Sequence, residues 1–152
     1  MSLSCEVIHR LSGKTLATAE SLTGGGIGAS LTSVSGSSAV YKGGIISYTN
    51  EIKEKVLGVR KETLDKFGAV SSPVAEEMVS GVRKLLGADI AVSVTGLAGP
   101  GADDYGNPVG TVFIGYEDCT RNVSKEFHFD GDRESVRNQT IHAALELILM
   151  YN

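Results

Sequence analysis

The sequence predicts an α/β fold, a single layered α/β/α domain with a mixed sheet of about five strands, and three observations carry that reading. Short apolar segments with strand patterning alternate with segments of helical period along one uninterrupted chain of 152 residues. Two of the apolar segments run directly into glycine-rich turns, at 20–26 and 95–101, the way parallel strands end beneath a ligand crevice. The run 89–94 is almost continuously apolar, as a strand covered on both faces should be.

Taken in order, residues 3–12 place Val7, Ile8 and Leu11 at helical spacing and stop at Gly13. The strand 15–19 follows, then Glu20-Ser21-Leu22-Thr23-Gly24-Gly25-Gly26 and a helix to about residue 33 with Ile27 and Leu31 on one face. A helix amino terminus after such a turn offers unpaired N–H groups and the positive end of its dipole, so the first turn is expected to receive a phosphate or carboxylate. Gly36-Ser37-Ser38 precedes a strand over 41–49, where Gly43-Gly44 signals a bulge or a close backbone approach. Asn50 is expected to cap a helix over 51–57, and a further short helix covers 61–66. Ser72 is expected to cap a longer helix with Pro73 in its first turn and Val74, Met78, Val82 and Leu85 on its apolar face, ending before Gly87. The strand 111–116 and its hairpin partner 123–129 come next. A final helix begins at Asp130 or Asp132 and carries Val136, Ile141, Ala144, Leu145 and Ile148 on one side.

Length and composition bound the function. A chain of this size buries roughly 70% of its unfolded surface and needs no covalent staples. Cys5 and Cys119 are far apart and lack His or Cys neighbours at ligand spacing, so neither a disulfide framework nor a metal site is expected, and no cofactor. The amino terminus has no basic segment followed by an apolar core, and no run approaches the ~18 apolar residues of a membrane span, so a cytoplasmic protein without a membrane partner is expected. The formal charge of −4 and the lack of a basic cluster argue against nucleic acid as a partner.

Candidate chemistry concentrates in 36–53, which brings together Ser37, Ser38, Tyr48 and Lys53. Lys53 falls in the first turn of its helix, where the dipole disfavours an ammonium by about 0.3–1 kcal/mol. Moving a lysine from about 10.4 to near 7 takes roughly 4–5 kcal/mol, so a working base at this position must be desolvated, and otherwise it is a solvated surface lysine. The glycine loops, with Ser21, Thr23 and Thr95, offer hydroxyls and N–H groups to a polar ligand. Arg133 and Arg137, four residues apart, can share a helix face and clamp a phosphate. His9, His128 and His142 are scattered and make no triad.

Five ordered motifs carry a resemblance: Thr18-Ala19-Glu20-Ser21-Leu22-Thr23-Gly24-Gly25; Gly36-Ser37-Ser38-Ala39-Val40 with Gly43-Gly44 and Tyr48-Thr49-Asn50-Glu51-Ile52-Lys53; Gly68-Ala69-Val70-Ser71; Val94-Thr95-Gly96-Leu97-Ala98-Gly99-Pro100; and Pro108-Val109-Gly110-Thr111-Val112. Together they resemble the CinA carboxy-terminal domain family. The resemblance implies a nicotinamide-nucleotide amidase, which hydrolyses the carboxamide of nicotinamide mononucleotide (NMN) to nicotinic acid mononucleotide and ammonia. It further implies Ser38 as nucleophile, Lys53 and Tyr48 as the groups that activate it, and a substrate site of Ser21, Thr23, Gly24, Gly25, Thr95, Gly96, Ala98 and Gly99, with Arg137 near the phosphate. The larger CinA proteins carry an additional amino-terminal domain that resembles molybdopterin-binding proteins and has pyrophosphatase activity, and only the amidase half is expected here. Two positions depart from the family pattern: Leu22 stands where Cys is usual, and the loop 102–107 is unusually acidic through Asp103 and Asp104. A homo-oligomer is expected of a small enzyme whose site lies near its surface. The competing readings are a nucleotide-binding adaptor of the competence and DNA-damage context, and amide hydrolysis on another small substrate.

Overall fold

The computed structural model describes residues 1–152. Its strands are β1 (Leu16–Glu20), β2 (Tyr41–Ile46), β3 (Ile90–Gly96), β4 (Thr111–Glu117) and β5 (Asn122–His128), in the sheet order β2-β1-β3-β4-β5. The first three run parallel, while β4 and β5 form the antiparallel hairpin read from their alternation. The expected mixed sheet of about five strands is present.

Strand alternation gives the two faces different characters. One face presents Leu16, Ile90, Val92, Val94, Val112, Ile114 and Tyr116 to helices α1 (Leu3–Arg10), α2 (Gly26–Thr32) and α6 (Arg133–Met150), forming the larger core. Burying each large apolar side chain there contributes about 1.5–3 kcal/mol. The other face is built from small residues, Ala17, Ala19, Ala91, Ser93 and Gly115, and it receives α5 (Ser72–Leu86) at close range. A methyl group on Gly115 would meet the Ala75 carbonyl of α5 at 2.7 Å, and Ser93 Oγ donates to that same carbonyl. Helices α3 (Asn50–Leu57) and α4 (Lys61–Phe67) lie beside α5 on this face.

Element boundaries shift where a neighbouring hydroxyl competes for the cap. Thr49, not Asn50, caps α3 by accepting the Ile52 N–H, and Ser71, not Ser72, caps α5 by accepting that of Val74. Asp132 is the cap of α6. Leu85 departs from the expected apolar face of α5 and is 53% exposed, because the helix ends beyond the sheet at Gly87. Both readings of the glycine pair in β2 hold: its register against β1 shifts between Leu16 and Ala17, and a Cβ on Gly44 would overlap Thr18. Strand β2 ends at Ile46 rather than continuing to residue 49. No helix is long and apolar enough to cross a membrane.

Candidate functional site

The carboxyl ends of β1 and β3 and the amino ends of α3 and α6 surround a cavity of about 570 Å³. The alternation that faces Glu20 toward α2 turns the next residue, Ser21, toward α3. There the Lys53 ammonium reaches Ser21 Oγ at 2.9 Å, and it also contacts the carbonyls of Ser47 at 2.7 Å and Tyr48 at 3.4 Å. Lys53 is 1% exposed and has no acidic partner, and burial pushes its pKa down to about 8. The desolvation demanded of a working base is therefore present. Its geometry also suits the neutral amine: two N–H bonds go to two carbonyls, leaving the lone pair for the Ser21 hydroxyl proton.

The first glycine turn serves Ser21 from beneath rather than a ligand from above. The buried Glu20 carboxylate accepts the Thr23 hydroxyl and the N–H groups of Gly25, Ile27 and Gly28, filling the amino terminus of α2 from inside. The expected anion site in this turn is thus occupied by the chain's own carboxylate. Thr23, Gly24 and Gly25 accordingly do not line the cavity, which corrects their expected role in substrate binding. Arg137 is also turned away: its guanidinium donates to the carbonyls of Leu22 at 2.9 Å and Thr23 at 3.3 Å, bracing the turn.

Ser38 requires the largest correction. It is exposed in a single 3-10 turn (Ser37–Ala39) before β2, where the Val40 carbonyl accepts the Leu16 N–H at the amino end of the parallel strands. The six residues of β2 carry the chain about 20 Å from there to the cavity. Ser38 therefore does not meet Lys53, and Ser21 occupies the position expected of it. Tyr48 is near Lys53 only through its carbonyl. Its phenol is 59% exposed and accepts a hydrogen bond from Arg133 Nη2 at 3.1 Å.

The second glycine loop does line the cavity, with Thr95, Gly96, Ala98 and Gly99. Thr95 Oγ1 donates to the Ala69 carbonyl, tying the end of β3 to the turn before α5. Gly96 is required by close approach, since a Cβ would come within 2.6 Å of Val112 and 2.8 Å of the Thr111 carbonyl. Arg133 donates to the Gly99 carbonyl at 2.8 Å. Both its acceptors are neutral, so its charge is uncompensated at the mouth.

Sequence reading missed three contributors. Ser47 is fully buried and holds the Glu20 carbonyl through both its N–H and its hydroxyl while its own carbonyl receives Lys53. Its only signal was a small hydroxyl residue between two large ones. Glu20 was legible as a carboxylate just ahead of three glycines. Arg133 was legible as half of a pair whose members the sequence did not separate.

A family model of the CinA C-terminal domain matches residues 2–151. A CinA-like protein of Endomicrobium trichonymphae is 47% identical over 135 residues, covering 89% of this chain and 32% of its own length. A CinA-like protein of Thermotoga maritima is 44% identical over 138 residues, 91% of this chain and 34% of its own. The chain thus spans about a third of the length of these curated relatives. Among solved structures, the competence damage-inducible protein A of Klebsiella pneumoniae superposes with a TM-score of 0.94 at 39% identity, covering 96% of this chain and 92% of that one. A competence-damaged protein (CinA) superfamily protein of Escherichia coli gives 0.96 at 32% identity, covering 99% and 88%. Sequence motifs, sheet order and these matches agree, and the chain belongs to the CinA C-terminal domain family.

Proposed function

We propose that this protein is an amidohydrolase that cleaves the carboxamide of NMN, with Ser21 as nucleophile and Lys53 as its base. The observation that carries the reading is the buried 2.9 Å contact between Lys53 Nζ and Ser21 Oγ on the wall of the cavity. Ser21 Oγ attacks the carboxamide carbon while its proton passes to Lys53. The tetrahedral adduct collapses as the C–N bond breaks, and Lys53 returns the proton to the departing ammonia. Water, deprotonated by the same amine, then hydrolyses the Ser21 ester and releases the acid. The N–H groups of Leu22 and Ala98 make no hydrogen bond within the chain and are the donors available to the oxyanion. Removing one such donor costs about 3–4 kcal/mol where it has been measured.

The phosphate falls to Arg133, because the guanidinium of Arg137 is consumed by two carbonyls of the Ser21 turn. Tyr48 fixes Arg133 and offers a ring face to the substrate, and its phenol takes no part in the proton transfer. The test is ammonia release from NMN, nicotinamide riboside and nicotinamide. Turnover is expected to be greatest on NMN and to lose its preference for the phosphate in Arg133→Ala. Turnover of none of the three would instead favour a nucleotide-binding module.

A further inference from the structure

Four charged side chains line the cavity: Lys53, Arg133, Asp103 and Asp104. Two of them have work within the protein. Lys53 holds Ser21, and Asp103 organises its own loop: Oδ1 accepts the N–H groups of Tyr105 and Asn107 at 3.1 Å each, and Oδ2 accepts Asn107 Nδ2 at 2.7 Å. The other two, Arg133 and Asp104, carry opposite charges and have no ion-pair partner, and Asp104 makes no side-chain hydrogen bond.

The loop that carries Asp104 is fastened on both sides of it. On one side Tyr105 Oη donates to the Asp65 carbonyl at 2.9 Å, at the carboxyl end of α4, and its ring lies so close to Gly68 that a Cβ there would meet it at 2.6 Å. On the other, Asn107 Nδ2 donates to the Val70 carbonyl at 3.1 Å. Asp104 is therefore presented from the α4 side by a braced segment, and Arg133 from the α6 side by its bonds to Gly99 and Tyr48. A ligand bearing only negative charge gains at Arg133 and loses at Asp104. One that carries a cationic ring and an anionic tail is matched by both.

We propose that Asp104 is a specificity residue that selects a positively charged ring in the substrate, so that the site takes zwitterionic N-substituted pyridinium carboxamides in preference to their neutral-ring counterparts. This rests on the amidase reading of the Ser21–Lys53 pair and adds to it the charge of the ring. The probes are NMN and its reduced form, which share carboxamide, ribose and phosphate while the ring is cationic in the first and neutral in the second. In Asp104→Asn, kcat/KM on NMN is expected to fall about fivefold, the size of an exposed charge pair, with the inhibition constant of the reduced nucleotide unchanged within about twofold. Asp104→Glu restores the preference, and rising salt erodes it in the wild type. An equal loss on both nucleotides, or none on either, overturns the proposal. Wild-type turnover of NMN reads the amidase assignment separately: if it is absent, direct binding of the two nucleotides to wild type and Asp104→Asn still reads the ring preference.

Discussion

The glycine turn after β1 and the glycine loop after β3 share a composition and a place at the carboxyl end of a parallel strand, yet they do opposite things. In the first, the N–H groups of Gly25, Ile27 and Gly28 point inward at Glu20, and the turn becomes a rigid mount for Ser21. In the second no carboxylate fills the space, and Thr95, Gly96, Ala98 and Gly99 line the cavity. The side chain at the strand end decides the outcome. A carboxylate there satisfies the helix terminus from within, whereas a threonine and a glycine leave the concavity open.

The largest expected effect tests what the mounted residue is for. Lys53→Met should reduce amide hydrolysis about 10³-fold or more while the fold persists. The wild-type rate should climb with pH and level above about 8, since the free amine is the working form. Stability should respond in a linked way. Between about pH 8 and 10.5 the folded chain has released a proton that the unfolded chain still holds, so wild-type stability rises with pH across that window. Below it the buried ammonium costs about 3 kcal/mol. Lys53→Met should therefore be the more stable protein at pH 7, and denaturant titrations should show the gap closing as pH approaches 10.5.

Next in size is Glu20→Ala, which leaves three N–H groups and the Thr23 hydroxyl without their acceptor. A loss of about 2–4 kcal/mol is expected in denaturant midpoints, with reduced activity because Ser21 loses its mount. No residue of the second loop should match it by loss of hydrogen bonds. There the sensitive position is steric: Gly96→Ala pushes against β4 and should cost about 1–3 kcal/mol, read as a fall in Tm. Gly101→Ala, with nothing within 4 Å, should change stability by less than about 0.5 kcal/mol.

How far the sequence revealed this molecule differs between its layers. Periodicity and the glycine stops located every strand and helix, and the errors at Thr49 and Ser71 were of one residue, where adjacent hydroxyl or amide side chains are equally able caps. Lys53, Ser21, Tyr48 and Thr95 were all legible as chemistry. Their pairing was not, because closeness in sequence misled: Ser38 lies only 15 positions before Lys53, but β2 runs between them and carries them to opposite ends of the sheet. Ser21 lies 32 positions away and meets Lys53 because β1 is the neighbour of β2 and ends at the same edge. Arg133 and Arg137 likewise share a helix, and only the carbonyls of Leu22 and Thr23 separate their roles.

One paired measurement bears most directly on the central claim: ammonia release from NMN by Ser21→Ala and Ser38→Ala beside the wild type, each first confirmed to be folded. Ser21→Ala should lose activity by about 10³-fold or more, and Ser38→Ala should stay within about twofold of wild type. The reverse pattern, with Ser21→Ala active and Ser38→Ala silent, would contradict the assignment of the nucleophile to the turn after β1.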